Sequence, residues 1–156
     1  MEHLFSTALT FRQFLVTKLE KLDNEQLDTI PEGFNNNIRW NIAHLIVTPH
    51  LLTYNMVGQK NSLLSDDFIN SAKKGSNPDS FSMNEDFGIK HLSETLIEVI
   101  KKLQRDYDEL LNHDFKSYET STGYVLKDIP SAIAYSNIHD GIHIGTINAI
   151  VKVLDT

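Results

Sequence analysis

The stretch IPSAIAYSNIHDGIHIGTINAIVKVL, Ile129 to Leu154, decides the fold. Pro130 stands at a first-turn position, where its missing N–H costs little. From there Ala132, Tyr135, His139, Ile142/His143, Thr146, Ala149/Ile150 and Val153 recur at three- and four-residue steps. That period predicts one long helix with these residues on its inward stripe. His139 and His143 both fall on the stripe. Four residues apart on a helix, two imidazoles share a face with Cβ atoms roughly 5–6 Å apart, close enough to share one metal ion.

Working outward, three more segments have helical periodicity and none alternates as a strand. Ile89, Leu92, Leu96, Val99, Leu103, Tyr107 and Leu110 predict a third helix of the bundle. The second, from about Ile38 to Val57, is apolar nearly all round. Trp40, His44, Val47 and Leu51 share one face, and Ile38, Ile42, Leu45 and Leu52 another, so this helix is expected at the centre of the core. Pro49 lies inside it, where its ring conflicts with the Leu45 carbonyl and should kink the helix; Gly58 is the expected stop. In the first segment Leu4, Ala8, Phe11, Leu15, Leu19 and Leu22 form one apolar stripe, with Arg12, Lys18, Glu20 and Lys21 on the other side. Asp23-Asn24 should end it, followed by a loop through Pro31, Gly33 and Asn35-Asn36-Asn37. Residues 59–87 read as a long polar connection with a short helix from Asp66 to Lys74, and Tyr118 to Leu126 as a small extended excursion. Four amphipathic helices with two long connections predict an all-α four-helix bundle, with residues 1–156 forming one domain.

The bulk properties exclude several function classes. The formal net charge is −7 and the longest basic element is a pair of lysines, which disfavours nucleic acid and a polybasic membrane anchor. There is no cysteine, so disulfides, thiolate ligands and a cysteine nucleophile are excluded together. Met1-Glu2-His3-Leu4-Phe5 lacks a basic region followed by an apolar run, and no stretch is apolar enough to span a membrane. A cytoplasmic protein is expected.

A lone histidine on an apolar helix is more often a hydrogen-bonded core residue than a ligand, and His44 taken singly falls under that rule. The pair on the last helix changes the weighing. Two imidazoles one turn apart on a buried face need several polar partners or one metal ion. With His44 as a third nitrogen ligand, the set would suit zinc or a similar divalent ion and leave a coordination position open. His3, His50, His91 and His113 read as surface or structural residues, His91 being the one to check as a fourth ligand. The segment also approximates His-Glu-x-x-His, with Asp140 in the place of a general base. Aspartate is a methylene short, however, and Asp140 is better read as a solvated or outer acid. Tyr54 and Tyr135 could donate hydrogen bonds, although packing is the simpler role for each.

Trp-x3-His-Leu (Trp40 to Leu45) in the second helix and His-x3-His-x-Gly-x-Ile (His139 to Ile147) in the fourth resemble the DinB-like (DinB/YfiT-type) superfamily. That superfamily includes damage-inducible proteins, YfiT-type metal-dependent hydrolases, transferases using bacillithiol or mycothiol, and a mycothiol-dependent maleylpyruvate isomerase. The resemblance spans essentially the whole chain in element order. It implies a divalent metal, zinc or nickel in many members, held by His44, His139 and His143, and a homodimer formed through bundle faces. Two positions depart from the pattern: Ala43 stands where glycine is frequent, and Thr146 where glutamine is frequent. The second change removes an amide that could support the ligands.

Two enzyme readings follow. In one, a low-molecular-weight thiol cosubstrate is activated by the metal and attacks an electrophilic small molecule; in the other, the metal activates water for hydrolysis. With no cysteine, any sulfur nucleophile must come from a cosubstrate. No strong general base stands beside the ligands in the sequence, which favours the thiol transferase. The competing class is a non-catalytic metal-binding or dimerising bundle.

Overall fold

The computed structural model describes residues 1–81 and 87–155. It contains α1 (Glu2–Leu19), α2 (Asn24–Asp28), α3 (Ile38–Leu52), α4 (Asp66–Ala72), α5 (Ile89–Leu110), a two-stranded antiparallel hairpin of β1 (Tyr118–Glu119) and β2 (Val125–Leu126), and α6 (Ile129–Leu154). The four long helices form the expected bundle. α1 packs on α5 and α6, and α3 packs on the same two, so α1 and α3 lie diagonally across the core. No helix of the described residues is long and apolar enough to cross a membrane.

Local chemistry sets most of the boundaries. Asn37 accepts a hydrogen bond from the Trp40 N–H at 2.8 Å and starts α3; Asp128 does the same for Ser131 at 2.7 Å and starts α6. The α-helical part of α3 ends at Leu52, five residues before the sequence expectation. The chain then makes a 3₁₀ turn over Asn55–Val57, stopped by Gly58 at φ +70°. The short α2 falls in a region expected to be loop. Its signal is a capping box, in which Asp23 and Gln26 satisfy each other's backbone N–H groups.

The nearly all-round apolarity of α3 places it where expected, with every residue but Leu51 buried. The reading of α1 needs correction. Phe11, on the expected apolar stripe, is 52% exposed, and Arg12, expected on the polar side, is fully buried. Arg12 is tolerated there because each nitrogen of its guanidinium finds an acceptor. Nε and Nη2 donate to the two carboxylate oxygens of Asp140 at 2.7 and 3.0 Å, Nη1 to the Leu96 carbonyl at 2.9 Å, and Nη2 to the Leu45 carbonyl at 2.8 Å. One side chain of α1 thus reaches α6, α5 and the diagonal helix α3.

The Leu45 contact has a covalent origin. Its carbonyl would ordinarily accept the N–H four residues on, but that residue is Pro49, which has none. α3 continues through Pro49, with the Thr53 N–H donating to the Pro49 carbonyl at 3.0 Å. The carbonyl that Pro49 leaves without a helical partner is the one Arg12 takes. A buried polar group without a partner costs on the order of 1–3 kcal/mol, so proline and arginine are complementary here.

Removing one partner of a buried ion pair leaves the other charged and unsolvated. Arg12→Met should therefore cost about 3–5 kcal/mol in urea unfolding, and Arg12→Met with Asp140→Leu should recover most of that loss. A single variant within 1 kcal/mol of the parent would contradict this role, on the same order-of-magnitude scale.

Candidate metal centre

His44 comes from the middle of α3 and the other two histidines from consecutive turns of α6. Their ring centroids are 5.1 Å (His44–His139), 4.8 Å (His44–His143) and 4.4 Å (His139–His143) apart. One nitrogen from each ring can be chosen so that all three lie within 4.8 Å of one another. Among the described residues, no other group of three histidine, cysteine or acidic side chains meets this condition.

Two of the rings are held by partners that define their protonation. His44 Nδ1 lies 2.7 Å from the carbonyl oxygen of Ala72, the last residue of α4. A carbonyl only accepts, so Nδ1 carries the proton and Nε2 keeps its lone pair. His143 Nδ1 lies 2.7 Å from Asn41 Oδ1, and Asn41 turns its amide nitrogen to the Asn37 carbonyl at 2.7 Å. This orientation of the amide makes Asn41 an acceptor too, and His143 is likewise left with a free Nε2. A ring donating one N–H while offering its other nitrogen is how metal-ligating histidines are oriented. Thr146 turns its hydroxyl to the Ile142 carbonyl at 3.0 Å, and the amide that meets His143 is that of Asn41 on the neighbouring helix.

His139 gives a different sign. Its Nδ1 is buried with no hydrogen-bond partner, a condition shared among the described residues only by Ser136 Oγ. Burial, the neighbouring imidazoles and Arg12 push its pKa down to about 3, with burial the largest cause. Burial and His44 push His143 down to about 4. His44 is lowered by burial, partly offset by its hydrogen bond to Ala72. All three are neutral at pH 7, the state a ligand requires. The donor set, the two oriented rings and the unpartnered nitrogen fit a divalent metal ion.

Around the cluster, Trp40 stacks on His44 at 4.7 Å with the planes 10° apart, and its indole N–H donates to Ser76 Oγ at 3.0 Å. On the other side a cleft of about 520 Å³ opens onto His44 and His139. Its walls come from the end of α3, the turn after α4, the β-hairpin and Tyr135 of α6. The hairpin is anchored by the Lys116 N–H donating to the Met56 carbonyl at 2.8 Å, and Tyr124 stacks on Tyr135. His143 is not on this wall; it faces Asn41 and Trp40.

Several sequence expectations change at this site. The ridge of α6 that is buried runs through Ile129, Ile133, Ser136, Asp140, Ile144, Ile147 and Ile150. Ile142, read as inward, is 59% exposed. The helix is rotated by about one residue, about 100°, from the expected stripe, because Arg12 makes a carboxylate acceptable in the core. The histidines lie on the half-buried flank facing α3 and the cleft. Asp140 is neither a solvated acid nor a general base; both oxygens are taken by Arg12. His91 is exposed and meets Thr95, away from the cluster, so it supplies no fourth ligand. Tyr54 donates to Asp106 at 2.6 Å, so of these two tyrosines it is Tyr135 that reaches the cleft. His50 is buried and accepts the Asn61 N–H, a structural role.

A helical bundle with three converging neutral histidines, two of them lining a cleft, defines a protein able to hold a divalent metal. The family model of the DinB superfamily matches residues 10–147, and the chain belongs to that superfamily. No curated protein matches the chain.

The depressed histidine pKa values make the metal-free protein acid-sensitive. Between the unfolded pKa near 6.5 and the folded values, the unfolded chain binds protons that the native chain does not. Stability then rises with pH and falls as the pH drops, by at most about 1.4 kcal/mol per pH unit for each such group. The melting temperature of metal-free protein should fall steadily from pH 7 to pH 4.5, and His139→Gln should flatten the profile. A profile unchanged by this substitution would show that His139 is not buried neutral.

Proposed function

We propose that His44, His139 and His143 bind one divalent metal ion, zinc or nickel, and that the protein is a thiol transferase acting on an electrophilic small molecule. The observation that carries the reading is the pairing of Ala72 with His44 and of Asn41 with His143. These contacts aim free ring nitrogens into one cluster beside a cleft. An ion held by three neutral imidazoles keeps its full double charge and favours the anionic form of a thiol brought to it. The chain's own residues do the remaining work. Ala72 and Asn41 fix the rings, Trp40 closes one side, and the cleft holds the electrophile near His44 and His139. The thiol sulfur forms a bond to carbon as the leaving group departs with its electron pair, and the thiol proton passes to solvent.

The lining of the cleft supports this over hydrolysis. Among the described residues its lining contains no aspartate or glutamate, and Asp140 is occupied by Arg12, so none of these carboxylates is available to deprotonate water. A thiol needs no such base.

The reading includes a homodimer. Asn137 donates to the Leu4 carbonyl and Lys18 to Asn148, so α1 and α6 run side by side in the same sense. Phe11 and Ile142 fall between those two contacts, and Phe11, Ile138 and Ile142 are 52%, 67% and 59% exposed. Between them Gly141 and Gly145 leave open space where side chains would stand, which allows a second copy close approach.

With metal-loaded, tag-free protein, conversion of chloro-nitroaromatic and epoxide substrates should require both metal and an added thiol, and should vanish in His139→Ala. Ester or amide cleavage without thiol would instead establish the hydrolase. Sedimentation equilibrium should give a dimer that Ile142→Asp converts to monomer; a parent monomer at tens of micromolar, about the concentration where a standard-sized interface of micromolar affinity is filled, would remove the dimer from the proposal.

A further inference from the structure

The cleft beside the histidines is electrically distinct from the rest of the molecule. The chain carries a net charge of −7, yet among the described residues the only charged ones lining the cleft are Lys73 and Lys74. Both follow directly on Ala72, whose carbonyl holds His44, so they stand at the rim of the metal cluster itself. Among the described residues neither pairs with a carboxylate. Lys73 donates to the amide oxygen of Asn70 at 2.8 Å, and Lys74 has no ion-pair partner among the described residues. The hairpin adds Tyr118, Thr120 and Ser121 to the lining, the Thr120 hydroxyl being held by the Tyr124 carbonyl at 2.9 Å. The floor between is apolar, made by Leu51, Leu52 and Met56.

We propose that this cleft selects a small molecule with an anionic end, of which a carboxylate is the simplest, seated on Lys73 and Lys74, and an apolar body lying on Leu51, Leu52 and Met56. The inference rests on the proposed function for what happens at the histidines, but anion binding by the cleft stands apart from it. Two exposed ammonium groups at the rim, paired with no carboxylate among the described residues, and a neutral histidine cluster give one sign of charge to a concavity with an apolar floor. That arrangement concentrates the field and enriches counter-ions of the opposite sign. A cationic ligand would meet the same two lysines with no acid among the described lining residues to offset them. Metal binding would add positive charge and strengthen the preference. An uncharged ligand of equal size would gain only the apolar floor.

The anionic group could arrive on the electrophile or on the thiol, and both sources share this chemistry. The probes are hydrocinnamate, its uncharged amide, and the thiols mercaptopropionate, mercaptoethanol and cysteamine. Binding of the first two is measured by calorimetry on metal-free and zinc-loaded protein. Hydrocinnamate should bind about five- to tenfold more tightly than the amide in both forms, the scale of one or two partly exposed ion pairs. The preference should disappear in K73M/K74M while that variant keeps the parent's melting temperature and zinc content. Equal binding of acid and amide, or a preference that survives K73M/K74M, would overturn the proposal. Failure to bind zinc would instead sink the metal reading, and the metal-free arm would still decide this one. On zinc-loaded protein the thiols then assign the source. Mercaptopropionate that excludes hydrocinnamate, and outbinds mercaptoethanol and cysteamine only while the lysines are present, places the anion on the thiol. Simultaneous binding of mercaptopropionate and hydrocinnamate places it on the electrophile.

Discussion

The Leu45 carbonyl, denied its helical donor by Pro49, is the point on which the bundle turns. Arg12 fills that vacancy from the diagonal helix and with the same guanidinium binds Asp140 of α6 and the Leu96 carbonyl of α5. Two of these three anchor points are adjacent in sequence to a histidine of the cluster. Leu45 follows His44, and Asp140 follows His139. A shift of α6 against α3 would break the ion pair and separate the histidines together. The core contact and the cluster therefore share one register. Such a buried pair gives weak net stability compared with an apolar replacement, because both charges lose their water. Its value lies in geometry, since a fork of donors accepts only one relative placement of four helices.

The cluster follows the same rule of complementary polar groups. Burying three imidazoles is unfavourable unless their nitrogens are spoken for. The Ala72 carbonyl and Asn41 take one nitrogen each, and burial keeps the rings uncharged. One nitrogen of each ring lies within 4.8 Å of the others, and His44 and His139 line the cleft. The fold thus presents lone pairs where a cation can reach them, while the core on the other side of α6 is closed by Arg12 and Asp140.

Much of this was legible in the residues. The long helices, the centrality of α3 and the grouping of His44 with His139 and His143 follow from periodicity and a spacing of four. The excursion between Tyr118 and Leu126 is a hairpin, and the short helix from Asp66 is present, ending at Ala72. What stayed hidden depended on long-range pairing. Periodicity sorts residues by polarity, so it placed Arg12 outside and Phe11 inside; only the distant Asp140 reverses this. The same blindness rotated the expected inward stripe of α6. The partner of His44 could not be read at all, because it is a backbone carbonyl from another helix. Asn41 did leave a trace, as a polar residue inside an otherwise apolar turn that had to find a partner.

The central claim is that the three histidines receive a divalent metal through the nitrogens their partners leave free. The direct measurement is two-dimensional NMR of ¹⁵N-histidine-labelled protein titrated with zinc. His44 and His143 should keep protonated Nδ1 atoms throughout. Their Nε2 resonances, with one nitrogen of His139, should move together and saturate at one zinc per chain. Saturation without movement of these three rings, or deprotonation at the Nδ1 atoms bound to Ala72 and Asn41, would contradict the claim.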